Sequence, residues 1–410
     1  MSAVAITGFG IVSAAGMDRD RFAQSLMEGR SAVGDLTLPR TFGHRAFRAA
    51  QIAALPARAA DMAGQGRLYD RFSVLALLAA EEAVAAAKLG EAELAGDRTS
   101  VLLGTGIGGA STIDDSHHGL YIENRRPDPL TIPRLMSNAA PALLSRRWGC
   151  RGTVLAVSSA CASSAQAIGL GMLLIRSGMA ERVLVGGTEA SLTPVALQSW
   201  QAMRVLTATQ CRPFSETRDG MVLGEGAAVF VLEREAAAKA RGAPVVARLL
   251  GYGTASDAGD LVRPDPAGAA AAMQAALTDA GLSPSEIDHV NAHGTGTGLN
   301  DAAEAEALLT VLGPDASRIP VSATKPIHGH ALGASGAIEL AATVIALQHR
   351  TAPATLGFDI AAGKTGLCVS AANQPIEGPV GLSNSFAFGG VNASLIVMAP
   401  PAGSAPASAS

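Results

Sequence analysis

The hydrophobic positions fall into two alternating kinds of segment. Short apolar runs break on glycine, at 4–16, 100–109 and 182–190, or on a turn of small residues, at 155–161. Runs of that length bounded by glycine read as buried strands closing in tight turns. Longer alanine- and leucine-rich stretches lie between them. Residues 20–28 predict a short helix. Residues 67–89 predict a long one, ended by Gly90, with Phe72, Leu75, Ala79, Glu82 and Ala83 on its inner face. Residues 110–141 show no period and read as irregular. The stretch 155–174 is a strand, a turn of small residues around Cys161, and a small-residue helix stopping near Gly178. Val229–Leu232 reads as a strand, with a helix over 233–241 behind it.

A second series follows. Residues 245–251 predict a strand and 266–280 an alanine-rich helix. Ser283 to Glu286 is a capping box with proline at its first helical position. Residues 288–298 run from strand into glycine turn. Helices are predicted over 302–312 and 334–349, a strand and loop over 381–390, and a last strand over 394–398. The run Val101-Leu-Leu-Gly-Thr-Gly-Ile-Gly resembles Val290-Asn-Ala-His-Gly-Thr-Gly-Thr-Gly, in the same strand-then-turn setting. An α/β fold of two pseudo-symmetric halves is the reading, 1–244 and 245–399. The Pro/Ala/Ser-rich tail 400–410 reads as disordered.

Composition narrows the function. Of 410 residues, 48% are hydrophobic and only 16% charged, with a formal net charge of −4, so a large core can form and no global field favours nucleic acid or acidic lipid. Cys150, Cys161, Cys211 and Cys368 are scattered, without metal-ligand spacing, as expected of free thiols in a reducing cytoplasm. The N-terminus turns glycine-rich within a few residues and reads as a first strand, not a signal peptide. No apolar run is long enough to span a bilayer, so a soluble cytoplasmic protein is expected. Gly8 and Gly10 do not make a dinucleotide loop, because the third glycine is misplaced.

Four segments can carry chemistry. Cys161 stands at the N-terminal end of a buried helix, where the dipole favours thiolate; read alone, it is equally a small packing residue. His293, in Asn291-Ala-His-Gly-Thr295-Gly-Thr297-Gly, ends a strand at the edge where open α/β sheets bind ligands. Lys325 and His330 share a loop leading into a helix whose N-terminus would keep His330 neutral; His328 lies two residues away, and nothing local separates the two. Ser383-Asn-Ser-Phe386-Ala-Phe388-Gly-Gly-Val-Asn392 ends in adjacent glycines that let backbone N–H groups face a cavity. A cysteine with two neutral imidazoles is a kit for nucleophilic acyl chemistry, with no metal needed.

These motifs, in this order and along nearly the whole chain, resemble the elongating 3-oxoacyl-(acyl-carrier-protein) synthases of the thiolase superfamily. The resemblance implies a thiolase-like fold, layered αβαβα, and a decarboxylative condensation in fatty-acid elongation. Cys161 would carry the acyl chain; His293 and His330 would bind the malonyl thioester and its enolate. The N–H groups of Cys161 and Phe388 would form the oxyanion hole. Lys325 would be a supporting cation paired with Glu304. A capping box of Asp301 with Glu304 is the local reading of the same residues. Thr295 and Thr297 would support the site. Phe386 and Phe388 would gate the acyl pocket, and Ile107 would line it. Arg67, Arg71, Arg125 and Arg126 would meet an acyl carrier protein, which delivers the chain on its phosphopantetheine arm. A structural Na+ or K+ would sit at Asn291, Glu339, Ser383 and Asn384. A homodimer is expected, with a heterodimer of related chains as the alternative.

The chain also departs from that pattern. Gly296 stands where fatty-acid relatives usually have serine, and His-Gly-Thr-Gly-Thr resembles polyketide-type ketosynthases. Ala387 replaces a glycine before the gating Phe388 and is expected to stiffen it. Pro326 is expected to hold Lys325 extended. A specialised polyketide, polyene or modified-lipid pathway is therefore the main alternative. A thiolase would need a second cysteine within 383–392, which is absent. A catalytically silent chain-length partner would typically lack Cys161.

Overall fold

In the computed structural model, which describes residues 4–38, 46–62, 68–359 and 366–400, the apolar runs become one mixed sheet. Its strands are β1 (Val4–Ser13), β2 (Thr99–Gly104), β3 (Val154–Val157), β4 (Arg182–Glu189), β5 (Gly226–Arg234), β6 (Ala247–Ser256), β7 (His289–Asn291), β8 (Pro320–Ser322), β9 (Cys368–Val369), β10 (Val380–Ala387) and β11 (Val391–Met398). Their spatial order is β9-β8-β7-β10-β11-β6-β1-β5-β4-β2-β3.

The two halves meet where β1 pairs antiparallel with β6. Outward from β1, the pairings through β5, β4, β2 and β3 run antiparallel, antiparallel, parallel, parallel. Outward from β6, through β11, β10, β7 and β8, they run the same way. The repeat read between 101–108 and 290–298 therefore falls on equivalent strands, β2 and β7.

Two buried helices lie between the half-sheets: α3 (Ser163–Arg176) and α6 (Ser335–His349). α3 packs on β2 and β4 of its own half and on β6 and β11 of the other; α6 packs on β7 and β10 and also on β4 and β5. Helices α1 (Arg71–Ala86) and α2 (Ala139–Trp148) cover the first half-sheet from outside, and α4 (Pro266–Ala280) and α5 (Gly298–Leu312) flank the second. Five layers, αβαβα, result.

Paired glycines set the helix–sheet spacing in both halves. A Cβ on Gly8 or Gly10 of β1 would come within 2.4 and 2.2 Å of the carbonyls of Ala83 and Ala79 in α1. On Gly251 or Gly253 of β6 it would come within 2.3 and 2.1 Å of Ala276 and Ala272 in α4. Gly8 and Gly10 thus serve backbone-to-backbone packing. A second matched pair is strained. Ala160 (φ +48°) and Leu332 (φ +42°) each open a 3₁₀ turn, Ala160–Ala162 into α3 and Leu332–Ala334 into α6. Left-handed backbone on a residue with a Cβ costs on the order of 1 kcal/mol or more. Both turns adjoin the site described below.

Several expectations are corrected. Residues 110–141 are not irregular: helices span Ala110–Tyr121 and Thr131–Leu135, and α2 begins within the segment. The first has no apolar period and is held by tertiary contact, Asp70 accepting from the N–H of Thr112. A helix over Pro194–Ala202, capped by Thr193 and opened by Pro194, was not expected. α1 starts at Arg71 behind an Asp70 cap, and Arg67 lies outside the described residues, as do 401–410 of the tail. Lys325 is not extended; it opens a one-turn helix, Lys325–His328, with Pro326 in its first turn, where the missing N–H costs nothing. No helix among the described residues is long and apolar enough to cross a membrane.

Replacing Gly10 or Gly253 by Ala should destabilise the fold by about 1–3 kcal/mol, because α1 or α4 must lift off its strand. Thermal melts check this; an unchanged Tm in both variants would contradict the packing role.

Candidate active site

The 3₁₀ turn at the end of β3 presents Cys161 at the base of α3, 5% exposed. Across the interface between halves, His330 sits just ahead of the turn into α6. Its Nε2 is 3.1 Å from Cys161 Sγ, and its Nδ1 is 2.8 Å from the Ser335 hydroxyl. His293 follows β7, and its ring meets that of His330 edge-on, with centroids 5.3 Å apart. Lys325 completes the group. Its Nζ donates to His293 Nδ1 (3.2 Å), to the His293 carbonyl and to Glu339 Oε1, so all three ammonium hydrogens have acceptors. With Nδ1 accepting from the ammonium, the His293 proton resides on Nε2.

Cys161, His293 and His330 line one cavity of about 360 Å³, with Phe386, Phe388, Thr295 and Thr297 on its walls. Phe386 is buried against His293, and Phe388 stacks on Trp200, centroids 5.8 Å apart and planes 24° from parallel. The Thr295 and Thr297 hydroxyls are 2.8 Å apart. Asp301 accepts from the N–H groups of Gly296 and Phe214 and so shapes the loop that carries them.

The structure separates the two candidate histidines. His328 turns away, its Nε2 on the Thr324 hydroxyl and its Nδ1 beside the Gly329 carbonyl, while His330 faces the cysteine. It also corrects the lysine's partner. Glu339, not Glu304, holds Lys325; Glu304 accepts from the N–H groups of His293 and Gly294 and fixes the backbone behind the histidine. No Asp301–Glu304 capping box forms, since α5 starts after Thr297 and both carboxylates point at the preceding loop. Ala387 ends β10, and the left-handed positions fall on Gly389 and Gly390, so alanine is accommodated without positive φ. Ile107 stands 39% exposed and outside this cavity. Arg71 is committed to Glu225 at 2.7 Å and to the Ile52 carbonyl, so it is a structural cation rather than a docking one. Arg125 pairs with Asp115 and Glu123 on the surface, beside the exposed Arg126.

Burial dominates the electrostatics. Desolvation pushes the Cys161 thiol up to about 12, and the opposing pull of Lys325 is smaller. The helix dipole therefore does not make a resting thiolate. Both His293 and His330 are held well below the usual imidazole range, by burial first and by the Lys325 charge second. The resting site is a neutral thiol beside two neutral imidazoles. Glu304 and Glu339 are both raised to about 7 by burial, offset by backbone N–H donors in the first and by Lys325 in the second.

Behind the histidines lie three buried oxygens without a hydrogen-bond partner: Asn291 Oδ1, Glu339 Oε2 and Ser383 Oγ. Asn291 and Ser383 are paired across β7 and β10, and Asn291 Nδ2 reaches the Glu339 carbonyl. Hard oxygens of this kind suit a small monovalent cation. Asn384 differs: its Oδ1 already accepts from the Ser394 hydroxyl, whereas the other three oxygens have no partner. Nothing in the local pattern marked Ser335 or Trp200. The first sits in an ordinary small-residue helix start, the second on a helix without a period.

The beta-ketoacyl synthase N-terminal domain matches residues 1–238, and its C-terminal domain residues 246–359. Nodulation protein E of Rhizobium sp. (strain N33) is 40% identical over 396 residues, covering 96% of this chain and 98% of its own. The 3-oxoacyl-(acyl-carrier-protein) synthase 2 of Synechocystis sp. is 35% identical over 402 residues, covering 96% and 97%. The solved ishigamide ketosynthase/chain length factor superposes with a TM-score of 0.88 at 30% identity, covering 97% and 99%. The chain belongs to the beta-ketoacyl synthase family and is a condensing acyltransferase.

A buried thiol at about 12 has a testable consequence. Alkylation of Cys161 by iodoacetamide, followed by intact mass against a Cys161→Ala background, should rise about tenfold per pH unit through pH 9. A plateau below pH 7 would show a resting thiolate–imidazolium pair instead.

Proposed function

We propose that this member of the beta-ketoacyl synthase family joins an acyl chain held on Cys161 to malonyl-acyl carrier protein, with loss of CO2. The observation that carries this is the single connected group Cys161–His330–His293–Lys325 at the base of one cavity. The Cys161 sulfur attacks the incoming thioester, its proton leaving by way of His330 Nε2, and the carrier thiol departs. Once acylated, Cys161 no longer occupies His330 Nε2; the neutral ring exchanges its one proton from Nδ1 to Nε2, with Nδ1 then accepting from the Ser335 hydroxyl, and Nε2–H is free to donate. His293 Nε2–H is already fixed by Lys325. Both then point at the malonyl thioester oxygen. The bond to the malonyl carboxylate breaks, CO2 leaves, and the electron pair becomes an enolate held by the two N–H groups. Its carbon attacks the acyl-Cys161 carbonyl, the oxyanion is stabilised by the N–H groups of Cys161 and Phe388, and collapse releases the thiolate and 3-oxoacyl product. Lys325 acts as a positioning residue: it sets the His293 tautomer without touching substrate.

A Na+ or K+ fits Asn291 Oδ1, Glu339 Oε2 and Ser383 Oγ, where it would stabilise the buried Glu339 carboxylate that anchors Lys325. The acyl carrier protein docks through Arg125 and Arg126, and threads its phosphopantetheine arm past Thr295 and Thr297. A second chain docks on β3, an edge strand whose Leu155 is 47% exposed. That chain is an identical copy or, by analogy with the solved ishigamide ketosynthase/chain length factor, a chain length factor.

For the pathway, two readings stand. The resemblance to synthase 2 supports fatty-acid elongation. We favour a specialised acyl chain, because Gly296 and Ala387 depart from the fatty-acid pattern. The similarity to nodulation protein E and the ishigamide ketosynthase supports the same reading.

Cys161→Ala should lower condensation by at least about 1,000-fold while leaving malonyl decarboxylation measurable. His293→Ala should still acylate but lose about 100- to 10,000-fold in decarboxylation. Intact-protein mass spectrometry with saturated, polyenoyl and aryl-enoyl carrier thioesters reads acylation, and CO2 release reads the second step. Undiminished condensation by Cys161→Ala would overturn the assignment; fastest acylation by long saturated chains would select elongation.

A further inference from the structure

Cys161, His293 and His330 each offer one ligand atom, and those atoms lie within 4.8 Å of one another, all buried. A cysteine and two histidines around an open cavity are the donor set of a zinc centre with a vacant position. Yet condensation as described needs that sulfur and both ring N–H groups unligated. Something must keep a thiophilic cation out.

A ring nitrogen ligates through its lone pair. His330 can offer Nε2, because its Nδ1 faces the Ser335 hydroxyl, which accepts a hydrogen bond as readily as it donates one. His293 cannot. Its Nδ1 lone pair is occupied by the Lys325 ammonium, so the proton sits on Nε2, the nitrogen left to face the cavity. To bind a metal there, His293 would have to become an imidazolate or draw a proton from Lys325. Glu339 compensates the ammonium's charge, so what excludes the metal is the occupied Nδ1 lone pair.

We propose that Lys325, besides orienting His293, keeps the Cys161–His293–His330 cluster free of Zn2+, and that removing its hydrogen bond to His293 Nδ1 converts the cluster into a zinc site. In that variant His293 is free to carry its proton on Nδ1 and ligate through Nε2. Binding one Zn2+ then releases the Cys161 thiol proton to solvent, and water fills the fourth position. This exclusion follows from the side-chain geometry alone and does not depend on which substrate the protein condenses.

The test is equilibrium dialysis against Zn2+ of the wild type, of Lys325→Met/Glu339→Gln, and of that double variant with Cys161→Ala added. Replacing both partners of the buried pair avoids stranding the Glu339 carboxylate. The double variant should bind one Zn2+ per chain about 10- to 100-fold more tightly than the wild type. The triple variant should lose that site, which separates it from adventitious binding at surface histidines. With Co2+ as the probe, the double variant alone should show thiolate-to-metal charge-transfer absorption. Wild type binding one Zn2+ as tightly as the double variant, or zinc retained by the triple variant, would overturn the proposal. Should circular dichroism show the double variant unfolded, Lys325→Met alone takes its place. The wild-type arm decides independently: tight zinc lost on Cys161→Ala refutes exclusion outright.

Discussion

The site hangs on one buried ion pair. Lys325 and Glu339 are essentially without solvent, and each is tied to an element the chemistry needs. Lys325 grips both the ring and the carbonyl of His293. Glu339 belongs to α6, the helix that packs on strands of both halves. Burying two charges is costly, and the pair is retained only because its hydrogen bonds are complete on the lysine side. What it achieves is a fixed tautomer. A histidine whose Nδ1 is held by an ammonium presents Nε2–H to the cavity throughout the reaction, with no proton to be found when charge develops.

The pseudo-symmetry explains how two halves build one site. Equivalent strands, β2 and β7, end in glycine turns, and equivalent helices, α3 and α6, are entered through 3₁₀ turns that each open on a left-handed residue. In the first half that turn delivers the nucleophile. In the second it stands directly after His330. The halves have diverged in side chains while keeping their backbone, so the nucleophile of one meets the hydrogen-bond donors of the other, His330 Nε2 lying 3.1 Å from Cys161 Sγ. Glu189 reinforces this junction, accepting from Gly106 and Ile107 after β2 and from Gly333 before α6.

Much of this was legible in the chain. Pro266–Ala280 has its proline, its alanine face and its Gly281 stop in the sequence, and the helix forms over those residues. Most strands were legible as apolar runs ended by glycine or by a turn of small residues; β8 and β9, of three and two residues, were too short to carry a pattern. Ala110–Tyr121 was not, because Asp, His, Ser and Gly supply no apolar period and the helix depends on contacts such as Asp70 with Thr112. The helix Pro194–Ala202, which carries Trp200, was missed although Thr193 caps it and Pro194 opens it.

Sequence alone determined the fold class, the two-half organisation and the reactive residue types, since these rest on local periodicity and on motifs that need no partner. Tertiary structure alone decided the pairings. Lys325 lies closer in sequence to Glu339 than to Glu304, but spacing cannot say which carboxylate turns toward it. His328 and His330 differ only in the direction their backbone sends them. Cys161 has a helix N-terminus in favour of its thiolate and complete burial against it. Desolvation wins, because its magnitude depends on everything packed around the sulfur, and that is known only once the chain has folded.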